Sequence, residues 1–449
     1  MATDCYNLSH WYLKENMDYE VSHIYNRSRG MILFGFNEIV IDLLNRQIEE
    51  WMIMDAEEHA RSVGMKFPSK MWYGLIKDMK GYIPLKVEAL PDGSWVPKGT
   101  PFAQVTNTEE GYGELVTWWE GVFLHSYFPS GCATEAMYLK RYLMERGTDT
   151  NKFHSFGFRG HRSMEDAYWA IKAWNMVMEG TDDFHGLQHT PNSNMSTIPA
   201  TAHKTIQQFD NEIDAFKHAI DKVSEKGQEA VSLVIDTYDP WNIINNHLTD
   251  IIDYAQEREI IPVFRPDSGD IKEQAKAIYE KADLHAKGYP PFCGIIIGEG
   301  MDRKKIIEFD NYFKENNIPL QYISYGIGAG FYKHIDRDYL GFAMKTAYSN
   351  GKDRMKLTKS NPYKQSIPGY VNIVNDNGVM TVDYTKHGLY EIVYEMDERS
   401  SRPKYNRVSW CDIAKRVNLY TDPKVPLQEE IVLSPSVEQK KKEFRKRYL

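Results

Sequence analysis

The sequence predicts an α/β protein, with a (β/α) barrel or a doubly wound sheet in the middle of the chain and an α+β domain built from both ends. Three observations carry this. Between about 150 and 335, short apolar, β-branched runs alternate with polar or glycine-bearing turns and helix-length stretches, recurring at roughly 20–35 residues. The turns are uniformly charged or glycine-rich, as expected if right-handed crossovers bring them to one end of a parallel sheet. The flanks lack this rhythm, so the expected boundaries are 1–148, 149–338 and 339–449.

In chain order, 38–63 has helical spacing, and 83–108 (IPLKVEALPDGSWVPKGTPFAQVTNT) is punctuated by Gly and Pro like a run of strands. HSFGFRG at 154–160 precedes a helix over 163–178; GTDD at 180–183 follows it. IPATAH at 198–203 leads into a helix over 204–223. Strands are expected at 231–235, 260–264, 292–297 and 320–324, followed by the turns DTYD, RPDSGD, GEGMD and GIGAG. Helices are expected at 241–257, 271–287 and 303–316; in the last, Ile306, Ile307 and Phe313 keep helical spacing. Further on, PGYVNIVNDNGVMTVDYT contains Asn-Asp-Asn-Gly, a hairpin turn signal.

Bulk properties narrow the function classes. The 449 residues carry a net charge of −9, which argues against generic nucleic-acid binding. No run approaches the roughly 18 uncharged apolar residues of a membrane span, and the N-terminus lacks the basic start and apolar core of a secretory signal, so a cytoplasmic location is expected. Cys5, Cys132, Cys293 and Cys411 are scattered, which excludes a short-spaced zinc site and argues against a disulfide framework. The basic stretch 440–447 reads as a solvated helix or tail.

The chemistry concentrates in FRPDSGD, 264–270, where a buried strand gives way to a helix. Arg265 can fork onto phosphate, Asp267 can hold hydroxyls or a metal-bound water, and Gly269 lets backbone N–H groups approach. That mixture suits an anionic, hydroxyl-bearing ligand such as a sugar phosphate, although the same residues would also make a surface turn with an N-cap aspartate. Converging with it, the other turns carry Arg159, Asp182, His203, Asp236, Glu299, Gly328 and Gly330.

The ordered set ATDCYNLSHWYL (2–13), WVPKGTPFAQVTNT (95–108), SFGFRG (155–160), GTDD, PATAH, DTYD, FRPDSGD, GEGMD and GIGAG resembles the nicotinate/nicotinamide phosphoribosyltransferase family nearly end to end. The resemblance implies a barrel-like phosphoribosyltransferase domain and a homodimer with shared active sites. It implies that phosphoribosyl passes from 5-phosphoribosyl 1-pyrophosphate to nicotinamide, giving nicotinamide mononucleotide and pyrophosphate in NAD salvage. ATP is implied as co-substrate, hydrolysed through a phosphorylated histidine, with Mg²⁺ as the ion; the metal ligands are not assigned. Nicotinate phosphoribosyltransferase and a non-catalytic nucleotide-binding relative are the alternatives.

Carried over motif by motif, the resemblance places Phe156 on one face of the pyridine ring and Tyr6 of a partner subunit on the other. Arg159 would contact the base and ribose phosphate region. Asp182 would accept from the carboxamide, where nicotinate enzymes usually have serine, with adjacent Asp183 leaving the register open. His203 matches the phosphorylated histidine, oriented by Asp236 unless that residue caps the next helix. Ala202 stands where the family has glutamate. Arg265 and Asp267 would hold ribose and phosphates, and Gly298 with Glu299 the ribose hydroxyls. Gly328 and Ala329, backed by a helix N-terminus, would cradle the ribose phosphate with Arg337; alanine fits there only with negative φ. Arg27 and Arg29 would reach pyrophosphate or ATP, and Lys356, Lys359 and Lys364 are further candidate cations.

Overall fold

The computed structural model describes residues 3–14, 17–190, 195–360, 364–397, 399–400 and 402–449. The chain forms two compact units, one of Met1–Met137 with Ile335–Leu449 and one of Tyr138–His334. The expected boundaries at 148 and 338 fall a little C-terminal to these.

The first unit interleaves both chain ends in one mostly antiparallel sheet. Strands Glu20–Tyr25, Pro101–Asn107 and Leu85–Ala89 lie at its centre. Ala343–Ser349 and Lys352–Asp353 extend one side, Glu391–Glu395 and Lys404–Tyr405 the other. The face built from Ile24, Val87, Ala103 and Val105 is fully buried with Phe36, Val40, Ile41 and Trp72 of neighbouring helices. The helix expected over 38–63 is two, Phe36–Leu44 and Glu50–Ser62, and in the break between them Ile48 packs against the core. The hairpin signal is realised: Asn372–Asp376 pairs with Val379–Asp383, and Asn377 (φ 51°) and Gly378 (φ 86°) supply its turn.

The second unit contains strands β1 (Phe153–Ser155), β2 (Gly180–Thr181), β3 (Ala230–Val234), β4 (Ile261–Arg265), β5 (Gly294–Ile297) and β6 (Ile323–Ile327). They form one parallel sheet in the order β2-β1-β6-β5-β4-β3. Segment 196–201 bridges both edges, through Ser196 to Gly180 of β2 and through Ala200 to Ser232 of β3. The sheet is thereby a closed ring whose members follow chain order. Closure rests on Thr181 N–H to Ser196 O (3.0 Å), Ser232 N–H to Pro199 O (2.8 Å) and Thr201 N–H to Ser232 O (2.8 Å).

Alternation divides the residues between the ring's two faces. In register, Leu233, Phe264, Ile295 and Ile323 share the outer face, all buried. Val263, Gly294, Ile296, Ser324 and His154 line an interior cavity of about 390 Å³. Predicted strand 320–324 begins later: Leu320–Tyr322 is a 3₁₀ turn and β6 runs on through Gly326 and Ile327, which the sequence places in the following turn. The helix expected at 241–257 is broken by a π-helical turn at Ile243–His247, and that over 204–223 splits into His203–Ile206 and Glu212–Glu225.

Thr201 Oγ1 accepts the N–H of Val234 (2.9 Å), a donor on a fully buried residue. Thr201→Val keeps the shape and removes that acceptor, so unfolding in urea is expected to lose about 1–3 kcal/mol of stability.

Candidate active site

Every member of the ring runs the same way, so all its C-terminal ends meet at one rim. Arg265 ends β4, Asp182 follows β2 directly, and His203 follows the closing segment. Phe156 and Arg159 follow β1, Asp236 follows β3, Gly298 and Glu299 follow β5, and Gly328 and Ala329 follow β6. The rim residues expected to converge are therefore together.

Phe156 is fixed from beneath. Its N–H donates to Ile327 O (3.0 Å), and its ring lies across Gly326 and Gly298. A methyl group on Gly326 would fall 1.6 Å from Phe156 Cε1, and one on Gly298 2.9 Å from Cζ. Glycine stands at both positions, within β6 and just after β5, because the ring occupies the space of a side chain. The same point above Gly298 is 3.6 Å from Asp267 Oδ1, so aromatic plate and carboxylate share one corner of the mouth.

The two adjacent aspartates have opposite surroundings. Asp182 keeps 31% of its side chain exposed; its Oδ1 accepts from Thr197 Oγ1 and lies 3.7 Å from His154 Nδ1. Asp183 is buried and accepts from Ser155 Oγ (2.5 Å), Gly157 N–H (3.2 Å) and Phe158 N–H (3.1 Å). It is the strut of the 156–160 loop, a role sequence reasoning missed. Phe158–Gly160 is a 3₁₀ turn, and Arg159 stands exposed on it with no ion pair among the described residues.

His203 Nδ1 faces Thr237 Oγ1 (3.1 Å) and Nε2 faces Asp267 Oδ2 (3.8 Å), with 43% of the side chain exposed. The partner of the imidazole is thus Thr237, one residue beyond the expected Asp236. Asp236 instead accepts from Ser268 Oγ and leaves Oδ1 buried without a partner, whereas Asp239 caps the next helix. Asp270 caps helix Ile271–His285, which answers the N-cap alternative for FRPDSGD without using Asp267. Arg265 reaches across β3 to donate to Thr201 O (2.8 Å). Ala329 has negative φ, as its place requires, but the helix expected behind it is a single 3₁₀ turn, Ala329–Tyr332. Glycines at 328 and 330 disfavour a longer helix.

Tyr6, Arg27, Arg29 and Arg337 belong to the first unit. Tyr6 is 57% exposed. Arg27 stacks over Tyr25 (5.0 Å), with Nε and Nη2 buried and without hydrogen-bond partners. Burial pushes the Arg27 pKa down. Arg29 lies over the Tyr339 ring (4.4 Å) and 3.7 Å from Glu135, and Arg337 pairs with its neighbour Asp338. Lys345, on the strand beside Glu20–Tyr25, was not singled out. Burial lowers its pKa; Glu120, 3.9 Å away, opposes that, and the charges of Arg27, Lys356 and Arg337 add to it. A half-buried cation with other cations around it suits a polyanion. The only sequence signal for Lys345 is one cation in an otherwise uncharged strand.

The sequence model of the nicotinate phosphoribosyltransferase (NAPRTase) family matches residues 151–367, the ring and its rim. Nicotinamide phosphoribosyltransferase of Xanthomonas campestris is 27% identical over 380 residues, covering 77% of this chain and 80% of the relative. That of Mycoplasma pneumoniae is 26% identical over 350 residues, covering 68% and 75%. Over residues 151–367 the chain is thus similar to the nicotinate phosphoribosyltransferase family. Human nicotinic acid phosphoribosyltransferase has the same fold, with a TM-score of 0.67 at 14% identity over 99% of this chain and 100% of that one. Nicotinate-nucleotide pyrophosphorylase from Pyrococcus furiosus follows, with a TM-score of 0.61 at 16% identity over 93% and 94%. The matched segment contains the ring and the rim residues that follow its strands. No helix among the described residues is long and apolar enough to cross a membrane.

Removing the strut should loosen the loop it holds. Asp183→Ala leaves three donors without an acceptor, so stability is expected to fall by about 2–4 kcal/mol. Hydrogen exchange at the amides of Gly157 and Phe158 should accelerate more than exchange in β4 or β5, which mass spectrometry of deuterated fragments resolves.

Proposed function

We propose that the protein transfers phosphoribosyl from 5-phosphoribosyl 1-pyrophosphate to nicotinamide, forming nicotinamide mononucleotide and pyrophosphate in cytoplasmic NAD salvage, with ATP hydrolysed alongside. The observation that carries the choice of base is Asp182, a partly exposed carboxylate at the rim whose Oδ2 has no hydrogen-bond partner among the described residues. Such an oxygen accepts from a carboxamide NH₂ and repels a carboxylate. The curated relatives bear the nicotinamide name, in keeping with that reading.

In the reaction, the bond from the anomeric carbon to pyrophosphate oxygen breaks, and pyrophosphate departs with the electron pair. The pyridine nitrogen then supplies its own lone pair to the carbon. No proton moves, so the protein aligns the reactants and stabilises charge. Phe156 supports one face of the base; Tyr6 of a second copy in a homodimer would close the other. Arg159, Arg265, Asp267, Gly298, Glu299, Gly328 and Ala329 surround the phosphorylated ribose. Arg27, Arg29, Lys345 and Arg337 are the cations suited to pyrophosphate or ATP.

Mg²⁺ fits this donor set. No group of three or more His, Cys, Asp or Glu among the described residues could hold a metal alone, but Mg²⁺ commonly takes one or two carboxylates and completes its shell with water and substrate phosphate. Asp236, with its buried unpartnered Oδ1, and Asp267 are the rim carboxylates that would hold it. When bound, the ion neutralises charge on the leaving pyrophosphate.

His203 is the proposed acceptor of the ATP γ-phosphoryl group: the nitrogen–phosphorus bond forms as ADP leaves, and water later cleaves it. Exposure leaves the imidazole accessible, and Thr237 and Asp267 hold its plane.

Initial rates with both bases test the choice of substrate. The native protein should show higher kcat/KM for nicotinamide than for nicotinate. Asp182→Ser should narrow or reverse that preference; an unchanged ratio would remove Asp182 from base selection. Separately, His203→Ala should abolish ATP hydrolysis and ATP stimulation while slow transfer persists, whereas full stimulation would exclude the histidine.

A further inference from the structure

Asp182 does not act alone. Its Oδ1 accepts from Thr197 Oγ1, on the segment that closes the ring, and lies 3.7 Å from Nδ1 of His154, which is buried and has no hydrogen-bond partner. His154 sits on β1 two residues before Phe156, so both point into the ring. The other titratable groups lining the cavity that His154 faces are Lys152, Tyr322 and Cys293, the last with its thiol pushed up to about 12 by burial.

We propose that Thr197 and His154 form a clamp on Asp182 Oδ1, and that this clamp, rather than the aspartate's charge alone, sets the site's selectivity for an uncharged carboxamide over a carboxylate. The proposal rests on the reading of Asp182 as the contact to the base. A carboxylate free to rotate can turn away from an incoming anion or present either oxygen through water. Held at Oδ1, it must offer Oδ2 in one plane, the arrangement that rewards an amide donor and penalises a second carboxylate. Thr197 suits the task because a hydroxyl orients the group without cancelling its charge; a lysine or arginine in that place would neutralise the repulsion. Thr197 and His154 are thus positioning residues, acting on the base only through Asp182. Because Thr197 lies beside Ser196, which bridges to β2, ring closure and base choice depend on the same segment.

The test compares kcat and KM for nicotinamide and nicotinate, at saturating phosphoribosyl pyrophosphate and ATP, in full-length Thr197→Val, Thr197→Ser, His154→Phe, His154→Asn and Asp182→Ser. Thr197→Val and His154→Phe should each reduce the nicotinamide-to-nicotinate ratio of kcat/KM, Thr197→Val by about tenfold, as expected for losing a hydrogen bond to a charged group. The loss should appear in KM for nicotinamide with kcat nearly unchanged, which general loosening would not produce. Thr197→Ser, and His154→Asn with an amide N–H near the Nδ1 position, should keep most of the ratio. If either Val or Phe variant fails to fold, the other decides by the same ratio. A native ratio in the folded Val and Phe variants, with a collapsed one in Asp182→Ser, overturns the clamp and leaves the base contact standing. A native ratio in Asp182→Ser as well overturns both.

Discussion

Closure of the ring is the constraint on which the rest depends. β2 has only two residues, and a parallel strand that short holds little by itself. Segment 196–201 is not a regular strand, yet its bridges to β2 and β3 leave neither edge of the sheet open. Once closed, the parallel direction puts every strand's C-terminal end at the same rim. Phe156, Asp182, His203, Arg265 and Gly298 arrive there although up to 142 residues separate them along the chain, from 156 to 298. An open sheet would spread the same turns along a line.

The rim shows how a flat ring is given room inside such a structure. Side chains of about one size would fill the mouth of a small ring. Here β6 and the turn just after β5 contribute glycine at the level of Phe156, and that aromatic plate takes the vacated volume. The cost is backbone entropy at Gly298 and Gly326, offset because both are hemmed in by neighbouring strands. What remains is a surface that is apolar underneath and polar at its edge, suited to a heteroaromatic ring carrying one polar substituent.

Much of this was legible in the sequence, for identifiable reasons. Strands β3, β4 and β5 announce themselves by β-branched runs ending in charged turns, and the Asn-Gly pair at 377–378 fixes a hairpin because both residues tolerate positive φ. The end of β6 was obscured, since Gly326 reads as a turn residue until the ring of Phe156 explains it. The break at 45–49 was overlooked because apolar residues resume in helical phase on both sides. Neighbour-dependent roles were the hardest to see. Thr237 in place of Asp236 beside His203, and Lys345 among the arginines, follow from strand register and burial, which spacing along the chain does not encode.

Asp182 and Asp183 make the last point about how such a site is built. The sequence presents two equivalent carboxylates, and composition cannot separate them. The end of β2 does, because successive side chains leave a strand on opposite sides. One is turned toward Thr197 and His154 with part of its surface exposed. The other is turned back into the protein, where a hydroxyl and two backbone N–H groups engage both of its oxygens. A carboxylate so fully engaged cannot also select a ligand, and one with an unpaired oxygen would make a poor strut. An open carboxylate oxygen and a loop strut therefore fall to neighbours in sequence, separated by the same alternation that builds the ring.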